Sequence, residues 1–119
     1  MLVRRLEADF RHSNESGSLV QLVHEGWHQV NVLESLQNTE RGGHYHKENK
    51  EAFYIIRGKL LLSLEHGDEH EETEFHEGDM FMILPYLKHR FFFLEDTLMV
   101  AMYSGMVERP DGKKDIYTE

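Results

Sequence analysis

The stretch Arg41-Gly-Gly-His44-Tyr-His46-Lys-Glu-Asn-Lys-Glu51, with Gly58 after six further residues, decides the fold of this 119-residue chain. Successive side chains on a β-strand point to opposite faces, so His44 and His46 are expected to project to the same side. Glu51 opens an otherwise apolar segment, where a buried carboxylate needs a metal or a hydrogen-bond partner to stay ionised. The spacing therefore predicts two imidazoles and one carboxylate around a common point.

His89, in a later strand-like segment, is the fourth candidate for the same group. Three imidazole nitrogens and one carboxylate suit a divalent transition metal such as zinc, iron, manganese, nickel or copper, and leave room for water or substrate. His89 shares its predicted strand face with Phe91 and Phe93, which indicates an aromatic-walled pocket that contacts substrate. Plain core packing is an equally open interpretation of each of the two rings.

Composition narrows the class of protein. The length fits one domain with one modest core, and the absence of cysteine leaves histidines and carboxylates as the metal ligands. The net charge of −9 argues against nucleic acid or an anionic membrane as a partner. No apolar run reaches the length of a membrane span and no signal pattern is visible, so we expect a soluble, cytoplasmic protein.

Short β-branched or aromatic segments recur along the chain and alternate with clusters of Gly, Asn, Asp or Glu, which is typical of an all-β fold. A turn is predicted at Gly58 and a hairpin at Gly67-Asp68. The charged segment from Glu65 to Asp79, with three histidines, is predicted to be a solvated hairpin rather than a cation site. The predicted strands are Leu19 to Val23, Trp27 to Leu36, Glu51 to Arg57, Leu60 to Glu65, Glu72 to His76, Met80 to Leu84, His89 to Leu94 and Leu98 to Tyr103.

The spacing His-x-His-x4-Glu-x6-Gly resembles the first motif of the cupin superfamily. A weaker likeness to the second motif includes His89, although Leu87 stands where the family often has glycine and Phe93 where it often has asparagine. Asn38 replaces an earlier glycine. The resemblance covers roughly residues 15 to 105 and implies a double-stranded β-helix, the jelly roll of the cupin barrel. Residues 1 to 119 are then one domain, with a polar tail over 106 to 119 that lies on the surface or against a neighbouring subunit.

A second resemblance concerns function. Gly17-Ser-Leu19 and Arg41-Gly-Gly-His44-Tyr-His46-Lys47 look like segments of small cupins that isomerise or epimerise nucleotide-linked keto-sugars, and of the cupin domain of capsular polysaccharide synthesis reductases. In the ketoisomerases the histidines of this motif are thought to move protons without a metal, and a glutamine usually occupies the place of Glu51. Glu51 and His89 therefore favour the metal-binding branch.

The predicted site has parts for proton transfer beside a carbonyl. A divalent ion there polarises a substrate carbonyl, while His44, His46, Tyr54 or Tyr86 are candidates to shuttle the adjacent proton. Two cationic residues near the motif, Arg41 and Lys47, are candidates to hold a phosphate or carboxylate of the substrate.

Three functions stay open at the level of sequence. The first is a metal-dependent small-molecule enzyme, with a sugar or sugar-nucleotide isomerase or epimerase preferred. The second is an iron-type dioxygenase or decarboxylase acting on a small organic acid or phenol. The third is a non-enzymatic module that binds a metal or ligand. A homodimer is expected in each case, because pairing covers exposed sheet edges.

Overall fold

The computed structural model describes residues 1–118, and every regular element in that range is a β-strand. Glu119, the last residue of the predicted tail, lies outside the described residues. No helix able to cross a membrane occurs within the described range. The strands are β1 (Arg4–Leu6), β2 (Phe10–Asn14), β3 (Gly17–Gln21), β4 (Gln29–Ser35), β5 (Glu40–His44), β6 (Glu51–Arg57), β7 (Lys59–His66), β8 (Glu69–His76), β9 (Met80–Ile83), β10 (Lys88–Phe93) and β11 (Thr97–Tyr103).

Two antiparallel sheets enclose the interior. One has five strands in the order β1-β9-β6-β11-β4, the other has four in the order β5-β10-β7-β8, and β2 pairs with β3 in a separate hairpin. Neighbours in a sheet are mostly distant in sequence, so the chain crosses repeatedly from one sheet to the other. The all-β jelly-roll class predicted from the sequence is confirmed.

The core lies between the two sheets and is built from alternating side chains. Leu60, Leu62 and Leu64 point inward from β7, while the residues between them are only partly buried. Phe75 of the four-stranded sheet stacks on Phe81 of the five-stranded sheet with ring centroids 4.1 Å apart. Such offset stacking adds to the burial of apolar area, and it joins the two sheets.

Three strands of the structure, β1, β2 and β5, are absent from the list of strands predicted from the sequence. β1 and β2 are short and polar, and all five residues of β2 are exposed. β5 carries two adjacent glycines, which are uncommon in strands. These segments become strands through pairing, with β1 on β9, β2 on β3 and β5 on β10, and not through local propensity.

The predicted turns have different outcomes. Gly67, at φ 61°, turns the exposed β7–β8 hairpin as predicted. Gly58 does connect two strands, but β6 and β7 belong to different sheets, so this residue makes a crossover and not a hairpin. Its φ is 109°, and an added Cβ would lie 2.4 Å from Thr97 Oγ1 and 2.6 Å from the Asp96 carbonyl oxygen. Only glycine fits this conformation and this close approach.

The three departures from the cupin motifs are accommodated in the turns and the core. Asn38 takes a left-handed conformation with φ 67°, which asparagine tolerates better than most residues. Leu87 follows Tyr86, whose φ is 69°, and its side chain is buried in the core. Phe93 is fully buried there as well. Leu87 and Phe93 add apolar packing, and all three departures leave the pairing of β5 with β10 intact.

Candidate functional site

Three imidazole rings meet in the interior between the sheets. His44 ends β5 and lies opposite His89 of β10 in the antiparallel register, with ring centroids 4.6 Å apart. The ring of His46, two residues further along, is 5.1 Å from that of His44 and 5.4 Å from that of His89. One nitrogen from each ring lies within 4.8 Å of the others. Cross-strand pairing sets His44 against His89, and the ring of His46 joins them from two residues beyond the end of β5.

Glu51 joins this cluster from the facing sheet, where it begins β6. Its Oε1 atom lies 2.5 Å from Nε2 of His46 and 3.3 Å from Nε2 of His89. All three residues are at least 95% buried. The structure therefore brings together the four residues that the sequence nominated, with Glu51 in direct contact with two of the histidines.

Backbone carbonyls orient two of the rings. Nδ1 of His46 donates a hydrogen bond to the carbonyl of Asp115, and Nδ1 of His89 donates to the carbonyl of Leu87 at 3.2 Å. In a neutral imidazole only one nitrogen carries a proton, so these bonds leave the lone pair on Nε2. Both Nε2 atoms then present lone pairs toward the Glu51 carboxylate. Metal-binding histidines are commonly held in this way.

The donor set fits a cation. Nε2 of His46 and Oε1 of Glu51 are buried, and within residues 1–118 neither has a partner of good hydrogen-bond geometry despite their close approach. Converging lone pairs in a water-poor site repel one another unless a proton or a metal ion lies between them. Two imidazoles and a carboxylate, with a third imidazole adjacent, are suitable ligands for a divalent transition metal.

The three histidines differ in their electrostatics. Burial, reinforced by His89 and His46, lowers the pKa of His44 to about 4. Burial also lowers the pKa of His89. Burial has the same effect on His46, but the Glu51 carboxylate and the Asp115 carbonyl outweigh it and raise the pKa of His46. At neutral pH, His44 is thus an unprotonated acceptor beside a site that favours positive charge.

A cavity of about 390 Å³ opens onto the cluster, within the size range of small-molecule sites. Arg41 contributes a cation to its wall. The Arg41 guanidinium is held by Nε donating to Ser35 Oγ at 2.7 Å and by Nη2 donating to the Glu34 carbonyl at 3.0 Å. The remaining cavity lining consists of Leu33, Glu40, Gly42, His44, Glu51, Phe53, His89, Phe91, Met99 and Tyr103.

Tyr103 is the phenol of this cavity, and the sequence analysis missed it. It lies opposite Glu51 in the pairing of β11 with β6. Burial and the Glu51 carboxylate raise the pKa of Tyr103 well above its ordinary value, so it stays neutral and able to donate a proton. The signal was available, because Met99, Ala101 and Tyr103 continue one inward-facing alternation along β11.

Two predicted proton carriers, Tyr54 and Tyr86, lie outside this cavity. Tyr54 occupies the opposite face of β6 from Glu51, where its hydroxyl accepts a hydrogen bond from Arg11 at 3.2 Å. Tyr86 is 54% exposed and stacks on Tyr45. A one-residue step along a strand reverses the side-chain direction, which explains why Tyr54 points away from the cavity.

Two of the four predicted substrate-binding residues line the cavity and two do not. Phe91 lines the cavity and packs edge-to-face on Phe53, whereas Phe93 is fully buried in the core and does not line the cavity. Lys47 places its ammonium 4.2 Å from the ring centre of Tyr117, outside the cavity lining. Of the four substrate-binding candidates, Arg41 and Phe91 are therefore in position, and Lys47 and Phe93 are not.

A larger open depression of about 650 Å³ lies beside the C-terminal segment and is a weaker candidate. Glu48 and Arg109 form an ion pair at its surface. The buried Asn49 side chain in its wall is already bonded to Gly105, Asp115 and Met106. Its polar groups are satisfied by the protein itself, whereas those of the histidine cavity converge on open space.

Solved structures share this fold. A complex of a mutant 3,4-ketoisomerase QdtA from Thermoanaerobacterium thermosaccharolyticum with TDP-4-keto-6-deoxyglucose superposes with a TM-score of 0.80 and 17% identity, covering 99% of this chain and 88% of that one. A 3,4-ketoisomerase from Helicobacter canadensis superposes with a TM-score of 0.81 and 15% identity, covering 100% of this chain and 92% of that one. For dTDP-4-dehydrorhamnose 3,5-epimerase from Sulfolobus tokodaii the TM-score is 0.73 and the identity 17%, with 94% of this chain and 80% of that one covered. These likenesses establish a common fold.

Sequence comparisons identify the family. Curated protein sequences gave no match. The sequence model of the polysaccharide biosynthesis C-terminal domain matches residues 12–108, which include the histidine cluster, Glu51, Arg41 and Tyr103. The matched range covers most of the chain and runs from β2 to beyond β11. The chain therefore belongs to the polysaccharide biosynthesis C-terminal domain family.

Proposed function

We propose that this protein is an isomerase or epimerase that moves protons next to the keto group of a nucleotide-linked sugar. The observation that carries the proposal is the convergence of His44, His46, His89 and Glu51 on a cavity whose wall also holds Arg41 and Tyr103. The shared fold with 3,4-ketoisomerases and a 3,5-epimerase supports the same class of chemistry.

The proposal assigns His46, His89 and Glu51 as the ligands of a divalent metal. Their donor atoms already face one another, and the Nδ1 atoms of both histidines are anchored by carbonyls. When bound, the ion supplies Lewis-acid polarisation of the substrate keto oxygen and acidifies the neighbouring C–H bond. Zinc, iron, manganese and nickel all accept two imidazoles and a carboxylate.

His44 is assigned as the proton acceptor. It is half-buried, lines the cavity and is unprotonated at neutral pH, since its pKa is about 4. Removal of the proton next to the carbonyl leaves an enediolate. Return of a proton to the neighbouring carbon completes an isomerisation, and return to the opposite face of the same carbon completes an epimerisation.

Tyr103 and Arg41 complete the assignment. The Tyr103 phenol is neutral and faces the cavity, so it donates a proton or a hydrogen bond to the oxygen on which negative charge develops. The Arg41 guanidinium has Nε and Nη2 engaged by the protein, which leaves Nη1 for the diphosphate of the substrate. Phe91 and Phe53 give an apolar wall for the sugar ring.

One observation favours a second mode of the same reaction. The contact of His46 with Glu51, together with the raised pKa of His46, also fits an imidazolium–carboxylate pair in which a proton takes the place of the metal. His44 and Tyr103 keep their roles in that mode. Metal content and catalysis must therefore be measured separately.

The experiment is solvent-deuterium exchange into TDP-4-keto-6-deoxyglucose, followed by proton NMR with metal-loaded and with chelator-treated protein. A 3,4-ketoisomerase places deuterium on C4 of the 3-keto product, and on C3 of substrate re-formed from the enediolate, whereas a 3,5-epimerase exchanges at C3 and C5. We expect His44→Ala to abolish exchange and His76→Ala, at an exposed histidine, to leave it unchanged. Binding of the nucleotide sugar without exchange in either preparation would instead indicate a binding module.

The metal assignment is measured by plasma mass spectrometry of the untagged protein. We expect about one equivalent per chain, retained in His44→Ala and lost in His46→Ala and His89→Ala. Loss of the ion in His44→Ala as well would make His44 a ligand and would overturn its assignment as proton acceptor. A metal-free protein that still catalyses exchange would establish the proton-only mode.

A further inference from the structure

The C-terminal segment Val107–Tyr117, here called the strap, folds back onto the barrel beside the histidine cluster. The amide of Tyr117 donates to the Tyr45 carbonyl at 3.0 Å, and the amide of Tyr45 donates to the Tyr117 carbonyl at 2.9 Å. The two tyrosine rings also stack, with centroids 5.6 Å apart. The strap thus pairs with the chain immediately before His46.

One residue of the strap, Asp115, is 99% buried and clamps the turn that follows His46. Its Oδ1 accepts the Lys47 amide at 2.9 Å. Its Oδ2 accepts the amides of Glu48 and Asn49, each at 3.0 Å, and the side-chain amide of Asn49 at 2.9 Å. Four charge-assisted hydrogen bonds to one carboxylate hold this turn against the strap.

The same residue also contacts the site itself. The Asp115 backbone carbonyl accepts the Nδ1 proton of His46, whose Nε2 lies 2.5 Å from Glu51. The carboxylate clamp therefore determines where this carbonyl sits, and the carbonyl determines both the tautomer and the direction of the His46 ring. If the proton sat on Nε2 instead, or if the ring were rotated about its side-chain torsions, His46 would not direct a lone pair into the proposed ion site beside Glu51 and His89.

We propose that Asp115 is a positioning residue of the active site, acting through the strap to hold His46 as the Nδ1–H tautomer with its Nε2 lone pair aimed at the ion site. The consequence for metal affinity rests on the proposed function, whereas the consequence for the His46 tautomer does not. The strap is thus part of the catalytic unit and not a surface tail.

The test compares Asp115→Ala with Asp115→Asn and with Asp111→Ala. Asp111 lies in the same strap but is exposed, and its side chain accepts only the local Lys113 amide. The asparagine variant keeps the volume and one acceptor oxygen of the clamp. Two readouts are used. Long-range proton–nitrogen NMR of the metal-free protein at pH 8 reports whether Nδ1 of His46 carries the proton that bonds to the Asp115 carbonyl, and visible absorption during Co²⁺ titration reports affinity.

We expect wild type and Asp111→Ala to show Nδ1–H at His46 and equal Co²⁺ affinities. Asp115→Ala is expected to lower the fraction of His46 rings that carry the Nδ1 proton and to weaken Co²⁺ binding about 10- to 100-fold, as is usual when an outer hydrogen bond to a metal ligand is lost. For Asp115→Asn, both the His46 NMR signal and the Co²⁺ affinity are expected to lie between those of wild type and Asp115→Ala, with thermal unfolding like that of wild type. If Asp115→Ala does not fold, Asp115→Asn decides the question by the same two readouts.

Wild-type affinity and tautomer in a folded Asp115 variant would overturn the inference. A wild-type protein that binds no Co²⁺ would contradict the proposed metal site alone, and the NMR comparison would still decide the role of Asp115. Loss of Nδ1–H at His46 in Asp111→Ala as well would show that any disturbance of the strap has this effect, and would overturn the assignment to Asp115.

Discussion

Nε2 of His46, two residues beyond the end of β5, lies 2.5 Å from Oε1 of Glu51, which begins β6 in the facing sheet, and both side chains are almost fully buried. Two buried acceptors at this distance require a positive charge between or beside them. This contact supports the proposed cation site, and Nε2 of His89, which lies opposite His44, is 3.3 Å from the same oxygen.

The first prediction concerns the coupling of metal to stability. Free Zn²⁺ at 100 times its dissociation constant stabilises a one-site protein by about 2.7 kcal/mol, which for a chain of this size corresponds to roughly 10 °C in Tm. We expect that shift in wild type, His44→Ala and His76→Ala, measured by scanning calorimetry. His46→Ala and Glu51→Gln should lose it. An equal shift in His46→Ala would mean that zinc binds elsewhere.

The second prediction separates the two faces of the five-stranded sheet. Tyr103→Phe removes the cavity phenol and should lower kcat for deuterium exchange by about 100-fold, the lower range for loss of a general acid. Tyr54→Phe removes the hydroxyl on the opposite face and should leave kcat unchanged. Steady-state kinetics with matched circular dichroism spectra make the comparison. Unchanged kcat in Tyr103→Phe would remove this residue from the proposed mechanism.

The third prediction concerns the crossover between the sheets. In Gly58→Ala the new Cβ meets Thr97 and the Asp96 carbonyl in a conformation unfavourable to alanine, so unfolding free energy should fall by more than about 2 kcal/mol. Gly67 also has a positive φ, but no atom lies within 4 Å of an added Cβ there. Gly67→Ala should therefore lower the unfolding free energy by only about 1 kcal/mol. Urea unfolding of both variants checks the difference. Equal losses would show that backbone conformation alone decides the cost.

The fourth prediction concerns the pH dependence of the hydrogen bonds that hold the N-terminal residues before β1 to Glu71. The Glu71 carboxylate accepts the amides of Leu2 at 2.7 Å and Val3 at 2.9 Å. Partial burial raises the pKa of Glu71, but these hydrogen bonds outweigh it and lower the pKa below 4.5. Its ionised form therefore stabilises the fold above about pH 4.5, and this contribution is lost as the pH falls through the lowered value.

Glu71→Gln should then cost about 1 kcal/mol at pH 7 and progressively less below pH 4. Glu74→Gln, an exposed position on the same strand, serves as the control and should change little at either pH. Urea unfolding between pH 3 and pH 7 measures both. A Glu71→Gln deficit that stays constant over this range would contradict the role given to the ionised carboxylate.

The sequence by itself determined the elements whose cause is local. Short β-branched or aromatic segments bounded by turn residues predicted the long central strands, and the spacing of His44, His46 and Glu51 predicted that they would meet. The identity of His89 as the fourth member followed from the motif that it belongs to. The common direction of His44 and His46 depends on the period of two along a strand, which can be read directly from the chain.

Only the tertiary structure decided which other residues accompany them. Tyr103 replaced Tyr54 and Tyr86 because β11 pairs with β6 and sets it opposite Glu51. Asp115, 69 residues after His46, reached its ring because the strap returns to Tyr45. β1 and β5 became strands by pairing with the distant strands β9 and β10. Non-local hydrogen bonds and burial decide such contacts, and no short window of sequence contains both partners.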